Sequence, residues 1–126
     1  MFSRLFSTGS LPALEALLRF ASERQRVIAG NIANVDTVGY RSRDLSEPDF
    51  RRSLAEAYAG RRAWPQSLTP GPTVDAGSLK PGGNNVDLEI EMARMVKNST
   101  LHGTVATLLA QQFTLLREAI AGHVIS

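Results

Sequence analysis

His102 and His123 are the only imidazoles in this 126-residue chain, and no cysteine accompanies them. Hydrolytic or metal chemistry needs a nucleophile, a base and an orienting group, or several ligands at metal spacing. Two histidines this far apart, with no His-Glu-x-x-His arrangement around either, supply neither set. His102 reads as a polar break in a helical stripe and His123 as part of a fraying terminus. The missing cysteines also remove disulfides, thiol nucleophiles and thiolate metal sites, and leave the redox compartment open.

Other residues suggest anion binding more directly. Gly82-Gly83 precedes a helix start, where free amides attract phosphate, but Asp87, Glu89 and Glu91 follow at once and would repel it. The pair is a turn and a cap. Arg51-Arg52 and Arg61-Arg62 are each flanked by acids, and the formal net charge is only +2. A nucleic-acid surface concentrates its charge on one face, so a solvated exterior is the expected reading. Met92 and Met95 fall on a helical stripe and read as core filler. Trp64, beside Pro65, serves equally well as a docking anchor or as loop packing. The residues therefore point to a non-enzyme, without cofactor, metal, small-molecule substrate or nucleic-acid partner.

The elements carrying these residues are mainly helical. Apolar residues form 43% of the chain and aromatics 6%, so a core must be built from Leu, Ile, Val and Ala. Leu11, Leu14, Leu18, Ala21, Ile28, Ile32 and Val35 recur at spacings of three and four, with Gln25 as a polar break. Ser10 is placed to cap this first helix, and Pro12 is tolerated in its first turn. The helix is expected to run from about residue 11 and to fray near Asn34.

A second stripe is longer: Leu88, Met92, Met95, Ser99, His102, Ala106, Leu109, Phe113, Leu116 and Ile120. Asn84 or Asn85 would cap it, with Val86 and Asp87 opening the helix and acids placed at the positive end of its dipole. From Val86 to Ala121 such a helix is roughly 50 Å long, more than a compact domain of this size can cover. Its flank is expected to meet other chains.

The predicted fold is mainly α. Two long heptad-patterned helices pair as an antiparallel, coiled-coil-like hairpin around a Gly/Pro-rich, partly disordered middle. Ser46 and Asp49 mark the start of a short helix bearing Phe50, Leu54 and Tyr58 on one side. Residues 1–41, 42–85 and 86–126 divide the chain into one assembly unit rather than independent domains. Ser7 to Ser10 and Pro12 interrupt the N-terminal apolar run, so a cleaved signal peptide is not expected, and no run is long enough for a membrane span.

One stretch stays unexplained by packing alone: "NIANVDTVGYR", Asn31 to Arg41. Asn31 and Asn34 close a helix, where asparagine tolerates non-helical backbone and bonds to loose peptide groups. Gly39 supplies a positive φ, and Tyr40 is placed to bury its ring and satisfy its hydroxyl, redirecting the chain. With Asn31, Ile32, Ala33, Asn34, Gly39, Tyr40 and Arg41 in place, the stretch resembles the N-terminal signature of bacterial flagellar rod and hook proteins. Val38 stands where that family usually has proline, and Asp36 where asparagine is common. The segment from Gly82 through Asn84, Asn85, Val86 and Asp87 is similar to the helix start of the short, proximal-rod members.

The resemblance implies a structural subunit of the flagellar basal-body rod, stacking helically into a drive shaft that transmits torque to hook and filament. Implied partners are other copies and other rod proteins, the MS ring and its adaptor, and the flagellar type III export apparatus. The implied location is the periplasmic rod, reached without a cleaved signal. Packing would run along Leu14, Leu18, Ile28, Ile32, Leu88, Met92, Met95, Leu109, Phe113, Leu116 and Ile120. The alternative is a coiled-coil adaptor or chaperone of flagellar export that is never incorporated.

Overall fold

A computed structural model describes residues 10–66, 68–74 and 76–125. The first nine residues, and the side chain of His123, fall outside them. Three helices dominate: α1 (Ser10–Ala33), α2 (Glu47–Tyr58) and α3 (Leu88–Ile125). Between them, β1 (Arg43–Asp44) and β2 (Gly71–Pro72) form a two-residue antiparallel ladder, Arg43 opposite Pro72 and Asp44 opposite Gly71. No described helix is long and apolar enough to cross a membrane.

α1 and α3 pair antiparallel, as the stripes predict. Asn31 on α1 meets Glu91, while Ala21 and Gln25 meet Asn98, and Ser22 meets His102. At 1.5 Å per residue the two helices are about 36 and 57 Å long, so α3 runs well past the described start of α1. Ser10 is the first residue inside α1 rather than a cap ahead of it.

The face of α3 turned toward α1 lies one residue earlier than the apolar pattern indicates. Glu91, Asn98 and Val105 are the buried positions, a heptad apart, with Met95, His102 and Leu109 half-buried beside them. Leu88, Met92, Phe113 and Ile120, expected on the packing seam, are instead exposed, and Leu116 is half-buried. The cause is that the buried stripe carries polar residues held by hydrogen bonds, which hydropathy cannot register. Asn98 Nδ2 donates to the Ala21 carbonyl at 2.7 Å and to Gln25 Oε1 at 2.8 Å, and Gln25 Nε2 donates to Ser99 Oγ at 2.9 Å. Polar groups at such positions specify pairing at some cost in stability.

On α1, Ile28 is buried, while Leu14, Leu18 and Ile32 are half-buried. A second face of α1 holds α2. Phe20 stacks on Phe50 with ring centroids 4.2 Å apart and planes at 15°, enclosed with Ala16 and Leu45. The Ser46 cap forms as its sequence predicts, Oγ accepting from the Asp49 amide at 3.2 Å. Arg24 ties this layer to β1 by donating Nε and Nη2 to the two Asp44 carboxylate oxygens at 2.9 and 3.0 Å. Burial desolvates the guanidinium and opposes its charge, but the bonds and attraction of Asp44, with Glu47, outweigh this and raise its pKa above the ordinary arginine value.

The middle segment is more committed than its composition suggests. Thr73 and Asn84 are buried, and a Cβ on Gly77 would lie 2.8 Å from Asp87 Cβ and 3.2 Å from the Asn85 carbonyl oxygen. Only glycine lets the chain cross the start of α3 this closely. Further back, the Trp64 ring meets Tyr58 edge-on at 6.4 Å.

Candidate functional site

The two motifs singled out in the sequence clasp each other. Gly39 N–H donates to the Gly82 carbonyl at 2.8 Å, and the Asn85 amide donates to the Tyr40 carbonyl at 3.3 Å. Asn84 Nδ2 donates to the Asn34 and Thr37 carbonyls at 2.8 and 2.7 Å, holding the turn that follows α1. Asn85 Oδ1 accepts the Ser42 amide at 2.6 Å. The last carbonyls of α1 are met locally, by Asn34 and Val35, while Asn84, some fifty residues away, adds a second bond to each of two carbonyls of the turn that follows.

The capping role expected of Asn84 or Asn85 is divided. Asn84 Oδ1 accepts the Val86 amide at 2.8 Å, but Asp87 Oδ1 accepts from Ile90 at 3.2 Å and so caps α3 itself. Val86 is fully buried beneath the clasp. Asn34 acts locally, donating Nδ2 to the Gly30 carbonyl at 2.8 Å and accepting from Thr37 Oγ1 at 3.0 Å.

Asn31 is fully buried and uses all of its amide. Its Nδ2 donates to the Arg43 carbonyl at 2.7 Å and to Glu91 Oε2 at 3.1 Å, while its Oδ1 accepts Tyr40 Oη–H at 3.0 Å and the Arg43 amide at 3.0 Å. Tyr40 satisfies its hydroxyl as expected but is only half-buried, Ala33 and Arg41 are exposed and Ile32 is half-buried.

Glu91, which reads in the sequence as one more acid at the helix dipole, is the centre of this network. Glu91 is 1% exposed. Its Oε1 accepts Ser42 Oγ–H at 2.8 Å and Arg94 Nη1–H at 3.0 Å. Ser42 Oγ also lies 2.7 Å from Thr73 Oγ1. Glu91, Asn98 and Val105 keep a strict heptad, but one with two polar members that hydropathy does not mark. Among the described residues no cluster of His, Cys, Asp or Glu could hold a metal.

Gly39 has φ +76°, and a Cβ placed on it would meet nothing within 4 Å, so any penalty there belongs to the backbone alone. Gly39→Val is expected to cost about 1–2 kcal/mol, read as a lower midpoint in urea unfolding. An unchanged midpoint would refute the requirement for positive φ.

Two antiparallel helices fastened at one end by a polar clasp, with the longer helix largely uncovered, define a structural helical-hairpin protein. Comparison with known proteins makes the class specific. The family model described as "Flagella basal body rod protein" matches residues 13–41, which include Asn31 to Arg41. Flagellar basal body rod protein FlgB of Salmonella typhimurium is 30% identical over an alignment covering 89% of this chain and 98% of that protein. The Escherichia coli FlgB is 35% identical, over 71% of this chain and 81% of its own length. The Bacillus subtilis FlgB is 28% identical, over 94% and 97%. The chain belongs to the flagellar basal body rod protein family and most resembles FlgB.

Proposed function

We propose that this chain is a structural subunit of the proximal rod, polymerising helically with copies of itself and with other rod proteins into the shaft that carries torque from motor to hook and filament. The observation that supports this most is the uncovered surface of α3. Leu88, Met92, Val96, Leu108, Phe113, Leu115 and Ile120 are all exposed on one continuous helix. Exposed apolar side chains on this scale mark surfaces that meet other chains. Contacts between different surfaces of successive subunits extend into a filament where their rotation does not close into a ring.

The remaining partners in this reading are the MS ring and its adaptor at the rod base, and the flagellar type III export apparatus that delivers the chain without a cleaved signal. The assembly motif is Asn31 to Asn34 with Gly39, Tyr40 and Arg41, clasped to Asn84 through Asp87. Mass spectrometry of hook–basal bodies washed in detergent and high salt tests it. Retention of the chain at a few copies per particle is expected. A chain found in the cytoplasm and absent from washed particles would replace the rod reading with a non-incorporated adaptor or chaperone.

A further inference from the structure

We propose that Glu91 is a positioning residue for the turn that follows α1: its carboxylate dictates the orientation of the Asn31 amide, and through it the conformation of residues 39–43. The turn then orders only against a docked α3. This inference rests on the fold alone and is independent of what the chain assembles with.

An ionised carboxylate only accepts, and here three donors converge on it: Asn31 Nδ2 on Oε2, with Ser42 Oγ and Arg94 Nη1 on Oε1. Because Oε2 and the Arg43 carbonyl both demand a donor, the Asn31 NH2 must face the two of them, which leaves Oδ1 facing the opposite way. Oδ1 is then placed to accept both the Arg43 amide and the Tyr40 hydroxyl. A flipped Asn31 would set its NH2 against the Arg43 N–H and its oxygen against the Arg43 carbonyl, losing three bonds at once.

Ser42 has one hydroxyl proton, and Glu91 takes it, so Thr73 must be the donor in the Ser42–Thr73 contact. The polarity therefore runs from Thr73 through Ser42 to Glu91, and β2 is held by the same carboxylate as the turn. Asn31 and Ser42, sixty and forty-nine residues away, bond directly to this one acceptor, and Thr73 joins it through Ser42.

Glutamine separates this from simple space filling, because it has the shape of glutamate but carries two donors. Its NH2 would face Asn31 Nδ2 in one orientation and Arg94 Nη1 in the other, so neither orientation satisfies the site. Glu91→Gln is thus expected to be as disruptive as Glu91→Ala, whereas a packing role would leave it silent.

Hydrogen exchange on the full chain, resolved by NMR, reads this out. The reporters are the amides of Ser42, Arg43 and Asn85, bonded to Asn85 Oδ1, Asn31 Oδ1 and the Tyr40 carbonyl. The reference amides lie in α2, outside the network. In Glu91→Gln, exchange at the three reporters is expected to rise at least tenfold while α2 stays within twofold of wild type. Unchanged reporters, or wild-type reporters already exchanging like an unstructured peptide, would overturn the proposal. If Glu91→Gln unfolds the whole chain, Ser42→Ala removes one donor and leaves the others. It is then expected to accelerate exchange at Thr73 and Arg43 at least threefold, and no change there would overturn the proposal equally.

Discussion

Asn31→Ala is expected to lower the melting temperature of the isolated chain by about 10 °C or more. The side chain is fully buried and holds four partners: the Arg43 amide and carbonyl, the Tyr40 hydroxyl and Glu91 Oε2. Truncation leaves each without its bond, and an orphaned buried polar group costs about 1–3 kcal/mol. Arg43 is exposed as a residue, so water recovers some of its backbone loss and the total settles near about 3–4 kcal/mol. Asn31→Asp is expected to do at least as much damage, because it keeps the acceptor but sets a second carboxylate oxygen against Glu91 and the Arg43 carbonyl. Ala33→Ser, on the exposed side of the same turn, provides the control and stays within about 0.5 kcal/mol. A circular-dichroism melt of Asn31→Ala within about 3 °C of wild type, roughly 1 kcal/mol or less, would refute the four-bond account.

The legibility of this structure in its sequence divides along the same line. Helices α1 and α2 were readable because their signals are local: apolar spacing of three and four, a serine three residues ahead of an aspartate, a positive-φ glycine. α3 was readable as a helix but not in its orientation. The residues that face α1 at Glu91 and Asn98 are polar, and the bonds that hold them to Asn31, Ala21 and Gln25 on α1 span sixty residues or more, beyond any local window. Met95, His102 and Leu109 were placed near the contact by the same count because the true stripe and the apolar one share them. Asn31 could be singled out from its motif, but not Glu91, which lies sixty residues further on and has the composition of an ordinary helix start. Thr73 was hidden for a different reason. Proline and glycine around it predict a loop correctly, yet say nothing about whether that loop is pinned, and here Ser42 and the β1–β2 ladder pin it.

The outward-facing part of α3 leads to the second large effect. Phe113 is 46% exposed, whereas Leu109, one turn earlier, is half-buried on the side toward α1. Aspartate at the two sites should therefore separate folding from assembly. Leu109→Asp places an unpaired charge against α1, where desolvation is costly, and is expected to weaken both the isolated chain and its incorporation. Phe113→Asp meets water in the single chain, so its unfolding free energy should stay within about 0.5 kcal/mol of wild type. In a stack of subunits the same carboxylate would be buried against a neighbouring helix, with Arg117, one turn on in its own helix, the one cation at pairing distance along α3. Cells whose own copy is replaced by Phe113→Asp are thus expected to make the protein at normal levels yet fail to swim, with the chain missing from purified basal bodies. Normal swimming would show that this flank of α3 faces solvent in the assembled state. Lost swimming with a destabilised chain would instead place Phe113 in the fold of the subunit itself.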